Sequence, residues 1–338
     1  MRKLMTMIAL LALCSVQTYA KTWTVDQRPG ANFQTIAAAV ASSSVLAGDT
    51  ILVSGSSIAY AGFSFNKKLT IIGPGYFLGE NTNLQADTNS VKISSQVTIQ
   101  SGAQGSIVMG LHFLNSLYVD ADNVQIIRNR FQITSTYDYG IYLYAQDSTI
   151  IRQNYLTQTA SWYHCITIAS GNTQTMIQNN FLEYTGGDSN SSYGALSVQG
   201  TISGDISNNV IYGNVTLSAG GFYFNNNILR YGKFNSTGIT PHNNIGSSSQ
   251  FSFWPALGNQ SGVNMTSVFV SSGTSDTKWQ IATEGPADNN GSGGVDCGMY
   301  DNSAGTAYIP SGIPPIPSIY QFDASDLNNV TVKVKSHN

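Results

Sequence analysis

Aromatic side chains alternate with aliphatic ones near the middle of the chain. In Gly140-Ile-Tyr-Leu-Tyr144 the aliphatic residues face one side of an extended strand and the tyrosines face the other. Tyrosine rings pack on the apolar faces of sugars, and carboxylates bind sugar hydroxyls. Rows of tyrosine are also simply favourable in β-strands, which is the alternative interpretation. We interpret the stretch as a carbohydrate-binding surface, with candidate residues Tyr118, Asp120, Tyr139, Tyr142, Tyr144 and Trp162.

Cationic and titratable side chains nearby could instead support catalysis. A lyase acting on an acidic sugar needs a cation to neutralise the carboxylate and a base to remove the α-proton. We expect Arg128 and Arg152 to stack in one column, with Arg130 beside Arg128. His164, with the nearby Asp138, is the candidate base. No acidic partner for the arginines is fixed by spacing, so solvated surface arginines are the favoured interpretation.

No motif indicates a metal, a cofactor or a disulfide. Asp120, Asp122 and Asp138 could hold Ca²⁺ if the chain brought them together, but their spacing does not indicate that it does. Cys165 lies in a strand pattern far from Cys297, and a buried free thiol is the commoner state there. We therefore expect no cofactor and two unpaired cysteines.

One six-residue phrase recurs and places these residues on a fold. It reads Ile126-Ile-Arg-Asn-Arg-Phe131, then Ile150-Ile-Arg-Gln-Asn-Tyr155, then Met176-Ile-Gln-Asn-Asn-Phe181. A second alternating strand accompanies the copies, as in Gly140–Tyr144. Aligning the second residue of each phrase predicts one buried rung that contains Met109, Ile127, Ile151, Ile177, Ile206 and Phe224.

Variable steps between copies of one inner pattern predict a solenoid, because corner loops absorb the extra residues. Asn recurs at the corners, where it tolerates left-handed backbone angles and can hydrogen-bond from coil to coil. A β-sandwich would need hairpin turns roughly every 8–12 residues and would not reuse one phrase. We expect an all-β, right-handed parallel β-helix whose open end is covered by a short helix, Phe33–Val40, with Asn32 as its N-cap.

The composition excludes several protein classes. Charged residues make up only 10% of the 338, which is too few for a coiled coil or a charged helical bundle. With 15 Lys+Arg against 18 Asp+Glu, the net charge of −3 argues against a nucleic-acid partner. The 18 Tyr, 14 Phe and 4 Trp supply apolar surface that a disordered chain lacks.

The first twenty residues are typical of a cleaved export signal. Arg2 and Lys3 precede an apolar run, Leu4–Leu13, that is too short to span a bilayer, and small residues precede Lys21. No later stretch has the length and apolar character of a membrane span. We expect an exported protein without a membrane span.

The N-terminal sequence resembles that of a known superfamily. Phe33-Gln-Thr-Ile36, Gly48-Asp-Thr-Ile-Leu-Val53 and Leu69-Thr-Ile-Ile-Gly-Pro-Gly75 are similar to the cap and first coils of right-handed parallel β-helix proteins of the pectin-lyase-like superfamily. The coil phrases and the tail, Val295–Tyr300 with Ser311–Tyr320, are similar to secreted bacterial members without an assigned role. The resemblance implies the fold and an extracellular location. It does not imply one chemistry, since this fold hosts lyases, hydrolases, esterases, adhesins and binders.

The catalytic motifs of the superfamily's enzymes are absent. There is no Asp-Asp pair with His-Gly and Arg-Ile-Lys, as in polygalacturonase-like hydrolases. Pectin methylesterases carry a Gly-Leu-Asp-Phe type strand, but here Gly110-Leu-His-Phe113 has His112 in place of the acid. The calcium-binding acidic cluster and the arginine phrase of pectate lyases are absent as well.

These observations favour a secreted β-helix protein that binds polysaccharide at the cell exterior. Residues 1–20 are expected to form the signal peptide, 21–245 the cap and coils, and 246–338 an irregular segment that closes the rod. A polysaccharide lyase or glycoside hydrolase acting on an acidic polysaccharide is the alternative, and a structural surface or adhesin component is a further one. We expect a monomer, and the missing motifs argue against catalysis.

Overall fold

The computed structural model of the chain describes residues 19–135, 137–187, 192–200, 203–218, 220–303, 305–326 and 328–337. Nearly all of the expected signal peptide, residues 1–18, lies outside the described residues. Among the described residues, no helix is both long enough and apolar enough to cross a bilayer.

Three parallel sheets, A, B and C, form the body of the protein. From Thr70–Ile72 onward, the chain passes through one strand of A, one of B and one of C, and then returns to A beside its previous strand. Connections between parallel strands of one sheet take the right-handed sense. The architecture is therefore a right-handed parallel β-helix, which confirms the prediction from the repeat.

The strands of each sheet are short, as expected for coils that turn three corners. Sheet A contains Thr22–Val25, Thr50–Val53, Thr70–Ile72, Ile107–Met109, Gln125–Ile127, Ile150–Arg152, Thr175–Gln178, Gly204–Ser207, Phe222–Asn225 and Pro241–His242. Sheet B contains Lys92–Ile93, His112–Phe113, Arg130–Ile133, Tyr155–Gln158, Phe181–Tyr184, Val210–Tyr212, Ile228–Tyr231 and Ile245–Gly246. Sheet C contains Ser64–Phe65, Val97–Ile99, Leu117–Val119, Ile141–Leu143, Ile166–Ile168, Leu196–Val198, Val215–Leu217 and Phe234–Ser236.

Aliphatic rungs inside the coils form the core. In sheet A the stacked inward residues, all fully buried, are Val108, Ile126, Ile151, Ile177, Ile206 and Phe224. Burying each such side chain contributes roughly 1.5–3 kcal/mol. The predicted rung is wrong at Met109 and Ile127, which occupy the neighbouring outward position. The alignment of the phrases placed Ile127 beside Ile151, but in the structure Ile126 pairs with Ile151. The shift of one residue lets Asn129 stack on Asn154.

A ladder of buried asparagines forms the corner between sheets A and B. Each of the first six donates its backbone N–H and its Nδ2 to the Oδ1 of the next, over 2.9–3.2 Å. The prediction of coil-to-coil asparagine bonds is confirmed, although the left-handed residue is the one before each ladder position, such as Gln153 with φ of 58°. The ladder comprises Asn129, Asn154, Asn180, Asn209, Asn227, Asn244 and Asn259.

The N-terminal helix is shorter than predicted and spans Ile36–Ala41. Its N-cap is Thr35, whose hydroxyl accepts a bond of 3.1 Å from the Ala38 N–H. The predicted N-cap, Asn32, is wrong, because its side chain instead accepts the Thr24 backbone N–H at 2.9 Å and closes the preceding turn. The buried face of the helix joins the hydrophobic core of the coils.

Part of the segment after the last coil packs over the outer face of sheet B, where Val268, Phe269 and Met299 join the buried cluster of that face. The segment includes four 3₁₀ helices, Pro255–Leu257, Met265–Ser267, Thr277–Trp279 and Pro310–Gly312, and a hairpin of Ser318–Asp323 with Thr331–Lys335. Trp279 stacks on Phe181 of sheet B with 5.0 Å between ring centroids. The guanidinium of Arg230 lies 3.8 Å from the Trp279 ring centroid and 3.5 Å from the Glu183 carboxylate. This cation–π contact fastens the segment to the coils.

A buried carboxylate ties the C-terminal segment to an early loop. Asp276 is fully buried and accepts the Ser311 N–H at 2.6 Å, the Thr274 hydroxyl at 2.7 Å and the Asn81 Nδ2 at 3.1 Å. The Tyr308 hydroxyl also donates to it over 3.3 Å. A buried carboxylate needs such a full set of donors, so the hub fixes how the segment docks.

Candidate functional site

One column of side chains runs along the outer face of sheet C. Neighbouring strands lie about 4.8 Å apart, so seven steps span roughly 34 Å. Thr167 and Ser197, in the middle of the column, are only 1% and 6% exposed. They divide the column into two parts, and each part reaches solvent separately. In order, its members are Ser64, Thr98, Tyr118, Tyr142, Thr167, Ser197, Thr216 and Asn235.

Tyrosines form a continuous set of ring contacts at the first opening. Tyr118 and Tyr142 are paired in register, as predicted, with centroids 5.6 Å apart. Tyr142 contacts Tyr144 at 4.9 Å on one side and Tyr139 at 4.9 Å on the other. Tyr139 in turn contacts Tyr163 at 4.2 Å. Four of the predicted binding residues therefore share one surface.

The same set of rings extends to two further coils. Tyr163 contacts Tyr193 at 6.2 Å, and Tyr193 contacts Trp162 at 6.0 Å. The selection of binding residues from sequence omits Tyr163 and Tyr193. The spacing in the sequence could have indicated both residues. Tyr163 lies three residues before Ile166, and Tyr193 lies three residues before Leu196, and each of these aliphatic residues is the first inward residue of its strand. We name this surface the aromatic wall, formed by Tyr118, Tyr139, Tyr142, Tyr144, Trp162, Tyr163 and Tyr193.

Burial favours the neutral form of two tyrosines of the aromatic wall. Burial among the other rings raises the pKa of Tyr139 to about 12, and burial also raises the pKa of Tyr118. Tyr144 and Trp162 remain 43% and 49% exposed. Protonated hydroxyls beside open ring faces can donate to sugar hydroxyls while the rings cover sugar C–H groups.

Asp120 supplies a carboxylate at one end of the aromatic wall. It lines an open cavity of about 450 Å³ together with Tyr144, Thr98 and Asn66. Its Oδ1 accepts the Gln146 Nε2 at 3.0 Å, which fixes the side chain. The cavity thus combines an aromatic ring, a carboxylate, a hydroxyl and an amide, which are the groups that bind sugar hydroxyls.

Asp138 and His164 lie at the corner leading into sheet C, where both are held by protein groups. The Asp138 carboxylate accepts the Asn115 Nδ2 at 2.8 Å. His164 accepts the Gly194 N–H on its Nδ1 at 3.1 Å, and burial lowers its pKa to about 4. His164 is therefore neutral at pH 7, with its Nδ1 lone pair already occupied.

The predicted column of Arg128 and Arg152 is wrong. Arg152 pairs with Ile127 in sheet A, whereas Arg128 lies one position further, at the corner, because the asparagine ladder sets the register. Arg128 donates through Nε to Gln153 at 2.9 Å and through a terminal nitrogen to the Ile313 carbonyl at 2.8 Å. Arg128 therefore fastens the C-terminal segment, and both arginines lie away from sheet C. Burial lowers the pKa of each.

Asp120, Asp122 and Asp138 do not converge on a common point. Asp122 accepts the Asp147 N–H at 2.8 Å, apart from the contacts of the other two acids. Within the described ranges, no three His, Cys, Asp or Glu side chains are placed to hold a metal ion.

Both described cysteines are buried free thiols. Cys165 donates to the Glu183 carbonyl at 3.5 Å, and Cys297 donates to the Asn243 carbonyl at 3.2 Å. Burial raises the pKa of Cys165, and it raises that of Cys297 to about 12. The expectation of unpaired cysteines is confirmed, and neither thiol is activated as a nucleophile.

The three sheets define the class of protein, a right-handed parallel β-helix. Among solved structures, the chain is similar to pectate lyase Pel9A, with 12% sequence identity and a TM-score of 0.42. The similarity covers 85% of this chain and 97% of that one. No protein-family model and no curated protein matches the sequence. The assignment of the fold rests on the observed strand order.

Proposed function

We propose that this protein binds a polysaccharide along the outer face of sheet C. The observation that carries the proposal is the aromatic wall, whose rings touch one another across four successive coils. Exposed, rigidly held aromatic rings with nearby hydroxyl and carboxylate groups are typical of surfaces that hold sugars. Sugar rings would lie against Tyr144, Tyr118 and Tyr142, with Asp120 accepting from their hydroxyls.

The contacts and positions of the predicted catalytic residues support binding without bond cleavage. The Asp138 carboxylate and the His164 Nδ1 are engaged by protein donors. Arg128 and Arg152 lie on another corner and another sheet, so they offer no cation beside those groups. A lyase needs such a cation and a base on the same sugar.

Export to the cell exterior is part of the same proposal. The pattern of residues 1–20 supports a cleaved signal, after which residues 21–245 would form the cap and coils. The Ile36–Ala41 helix would cover the first coil, and residues 246–338 would close the rod and cover sheet B. Covered ends keep bare strand edges from pairing with other chains.

Affinity electrophoresis through gels that contain neutral or acidic polysaccharides tests the proposal. We expect Tyr142→Ala to weaken binding roughly 5- to 30-fold, which corresponds to about 1–2 kcal/mol for one central ring. Tyr223→Ala is the matched control, because Tyr223 is 69% exposed on sheet A, away from the wall. Equal retention of the wild type and Tyr142→Ala overturns the proposal.

Product assays separate binding from catalysis. The wild-type protein is incubated with the polysaccharide that retains it, and unsaturated products and new reducing ends are measured. We expect neither to form. New ultraviolet absorbance from unsaturated products would identify a lyase instead, and new reducing ends without that absorbance would identify a hydrolase.

A further inference from the structure

Tyrosines recur at one position in four successive coils, at the corner between sheets B and C. Each lies three residues before the sheet C strand of its coil, which begins at Ile166, Leu196, Val215 or Phe234. Neighbouring strands lie about 4.8 Å apart, so the four positions span roughly 14 Å along the rod. We name them the corner ladder, formed by Tyr163, Tyr193, Tyr212 and Tyr231. The first two belong to the aromatic wall, and the last two lie on the two coils beyond it.

Tyr212 and Tyr231 stack on each other at the far end of the corner ladder. Their ring centroids are 4.9 Å apart and their planes differ by 21°. A bulge in sheet B produces this pair, because Ile211 pairs with Leu229 and the next pair is Tyr212 with Tyr231. The bulge leaves Arg230 as the extra residue and puts Tyr231 in its place opposite Tyr212. Bulges re-aim side chains in this way and are frequent beside functional sites.

A small cavity joins the two halves of the corner ladder. Tyr193, Tyr212 and Tyr231 line it, and its volume is about 150 Å³. Sites that enclose a whole small molecule usually measure roughly 300–1,000 Å³. The cavity is therefore too small for a separate ligand, but it suits one unit of a chain that lies along the surface. Tyr231 is 45% exposed, so its ring stays open to such a chain.

The cavity of the corner ladder presents polar groups without charge. None of the described residues that line it is charged, and the exposed Thr185 supplies a hydroxyl there. Arg230 lies beside the cavity, with its guanidinium 5.3 Å from the Tyr212 ring centroid, but the Glu183 carboxylate is only 3.5 Å from it. An acidic sugar would lose hydration here without meeting a cation in the described lining. Tyrosine rings and hydroxyls suit an uncharged sugar instead.

We infer that the corner ladder extends the binding surface of the aromatic wall and that the ligand is a linear, uncharged polysaccharide lying along the rod. One sugar unit would occupy the cavity, with the Tyr231 ring against its apolar face. The step of about 4.8 Å between coils is close to the length of one pyranose unit in an extended chain, so successive units can meet successive tyrosines. The inference rests on the proposed function, because it needs a chain that the aromatic wall also holds.

The length of the combined surface favours long chains. Five strand steps separate the coil of Tyr118 from that of Tyr231, which is about 24 Å. A chain held at the aromatic wall raises the local concentration of its next sugar units at the corner ladder. We expect a hexamer to bind at least roughly 10-fold more tightly than a dimer of the same sugar, as measured by isothermal titration calorimetry.

The test uses affinity electrophoresis in hydroxyethyl-cellulose, galactomannan and arabinoxylan, with carboxymethyl-cellulose as the acidic counterpart of the first. We expect Tyr231→Ala to weaken binding to each neutral polymer that retains the wild type by roughly 3- to 10-fold. Tyr231→Phe keeps the ring and should bind within about twofold of the wild type, which separates loss of the ring from damage to the fold. Tyr223→Ala, on sheet A, is the matched control.

The outcomes separate the corner ladder from the aromatic wall. Unchanged binding of Tyr231→Ala overturns the inference, and if Tyr142→Ala still weakens binding, the proposed function stands. If Tyr231→Ala weakens binding and Tyr142→Ala does not, the corner ladder binds the sugar and the proposed function of the wall fails. Wild-type protein retained by none of the neutral polymers, or retained at least as strongly by carboxymethyl-cellulose as by hydroxyethyl-cellulose, overturns the assignment of an uncharged ligand.

Discussion

Replacing Asn180 with alanine removes the middle of the asparagine ladder. The Asn180 side chain donates to the Ile151 carbonyl at 2.9 Å and to Asn209 Oδ1 at 3.0 Å. Its own Oδ1 accepts the backbone N–H of Asn154 at 2.9 Å and the Asn154 Nδ2 at 3.0 Å. All four residues are fully buried, so water cannot replace the lost groups.

The magnitude depends on which groups keep a partner. The Asn154 N–H loses its acceptor, and an unsatisfied buried donor costs about 1–3 kcal/mol. The Asn154 Nδ2 keeps the Ile126 carbonyl at 2.8 Å, and Asn209 Oδ1 keeps the Asn180 N–H at 3.0 Å. These groups therefore lose only part of their bonding, at about 0.5–1.5 kcal/mol for each bond. We expect Asn180→Ala to lower the free energy of unfolding by about 3–5 kcal/mol.

Urea unfolding at 25 °C, followed by circular dichroism and by tryptophan fluorescence, measures this loss. Asn302→Ala is the control, because Asn302 is exposed on a loop and should change the free energy of unfolding by less than about 0.5 kcal/mol. The two signals should give the same transition if the coils unfold together. A loss below about 1 kcal/mol for Asn180→Ala would refute the claim that the ladder holds the coils in register.

Three further predictions concern the rest of the molecule. Asp276→Ala should lower the free energy of unfolding by about 3 kcal/mol, because the buried groups that donate to the Asp276 carboxylate lose their acceptor. The same substitution should speed proteolysis of the C-terminal segment. Unchanged urea and protease profiles would contradict the role of Asp276 in docking that segment. Burial holds the pKa of His164 at about 4 and that of His112 at about 3, below the value of about 6.5 expected for the unfolded chain. The unfolded state therefore binds more protons below pH 6.5, and stability should fall on acidification from pH 6.5 towards pH 4, by up to roughly 3 kcal/mol for each histidine. The measurement is the melting temperature as a function of pH. If a variant with both His112→Gln and His164→Gln loses stability with falling pH as steeply as the wild type, these histidines are not the cause. Cys165 and Cys297 should resist alkylation by iodoacetamide in the native protein and react after unfolding, as read by mass spectrometry; rapid native labelling would show that the thiols are accessible.

The repeated phrase was sufficient to predict the coils, because each coil must present one aliphatic residue inward at the same place. It was not sufficient to set the register. The first copy contains two adjacent isoleucines, so Ile126 and Ile127 match the inward position equally well by hydrophobicity. The hydrogen bond from Asn129 to Asn154 decides between them. The error of one residue also produced the false column of Arg128 and Arg152, since one step moves a side chain to the opposite face.

Strand alternation predicted the part of the candidate site on sheet C, whereas only some of its corner residues were selected: Tyr139 and Trp162 were, and Tyr163 and Tyr193 were not. Tyr118 and Tyr142 are adjacent because they occupy equivalent positions in neighbouring strands. Tyr193 contacts the same surface from the corner before its strand, and its only sequence signal is its spacing of three residues from Leu196. A cavity beside Phe253 forms where the last coils meet the irregular segment, and such long-range contacts leave no periodic signal in the sequence.

Oxidative footprinting of the tyrosines and tryptophans, with and without a retained polysaccharide, shows whether the aromatic wall is the surface that binds. Side chains that the sugar covers become protected from modification, and mass spectrometry reads each position separately. We expect protection of Tyr144 and Trp162, which are 43% and 49% exposed, and no change at Tyr223, which is 69% exposed on sheet A. Protection of Tyr223 without protection of Tyr144 and Trp162 would contradict it.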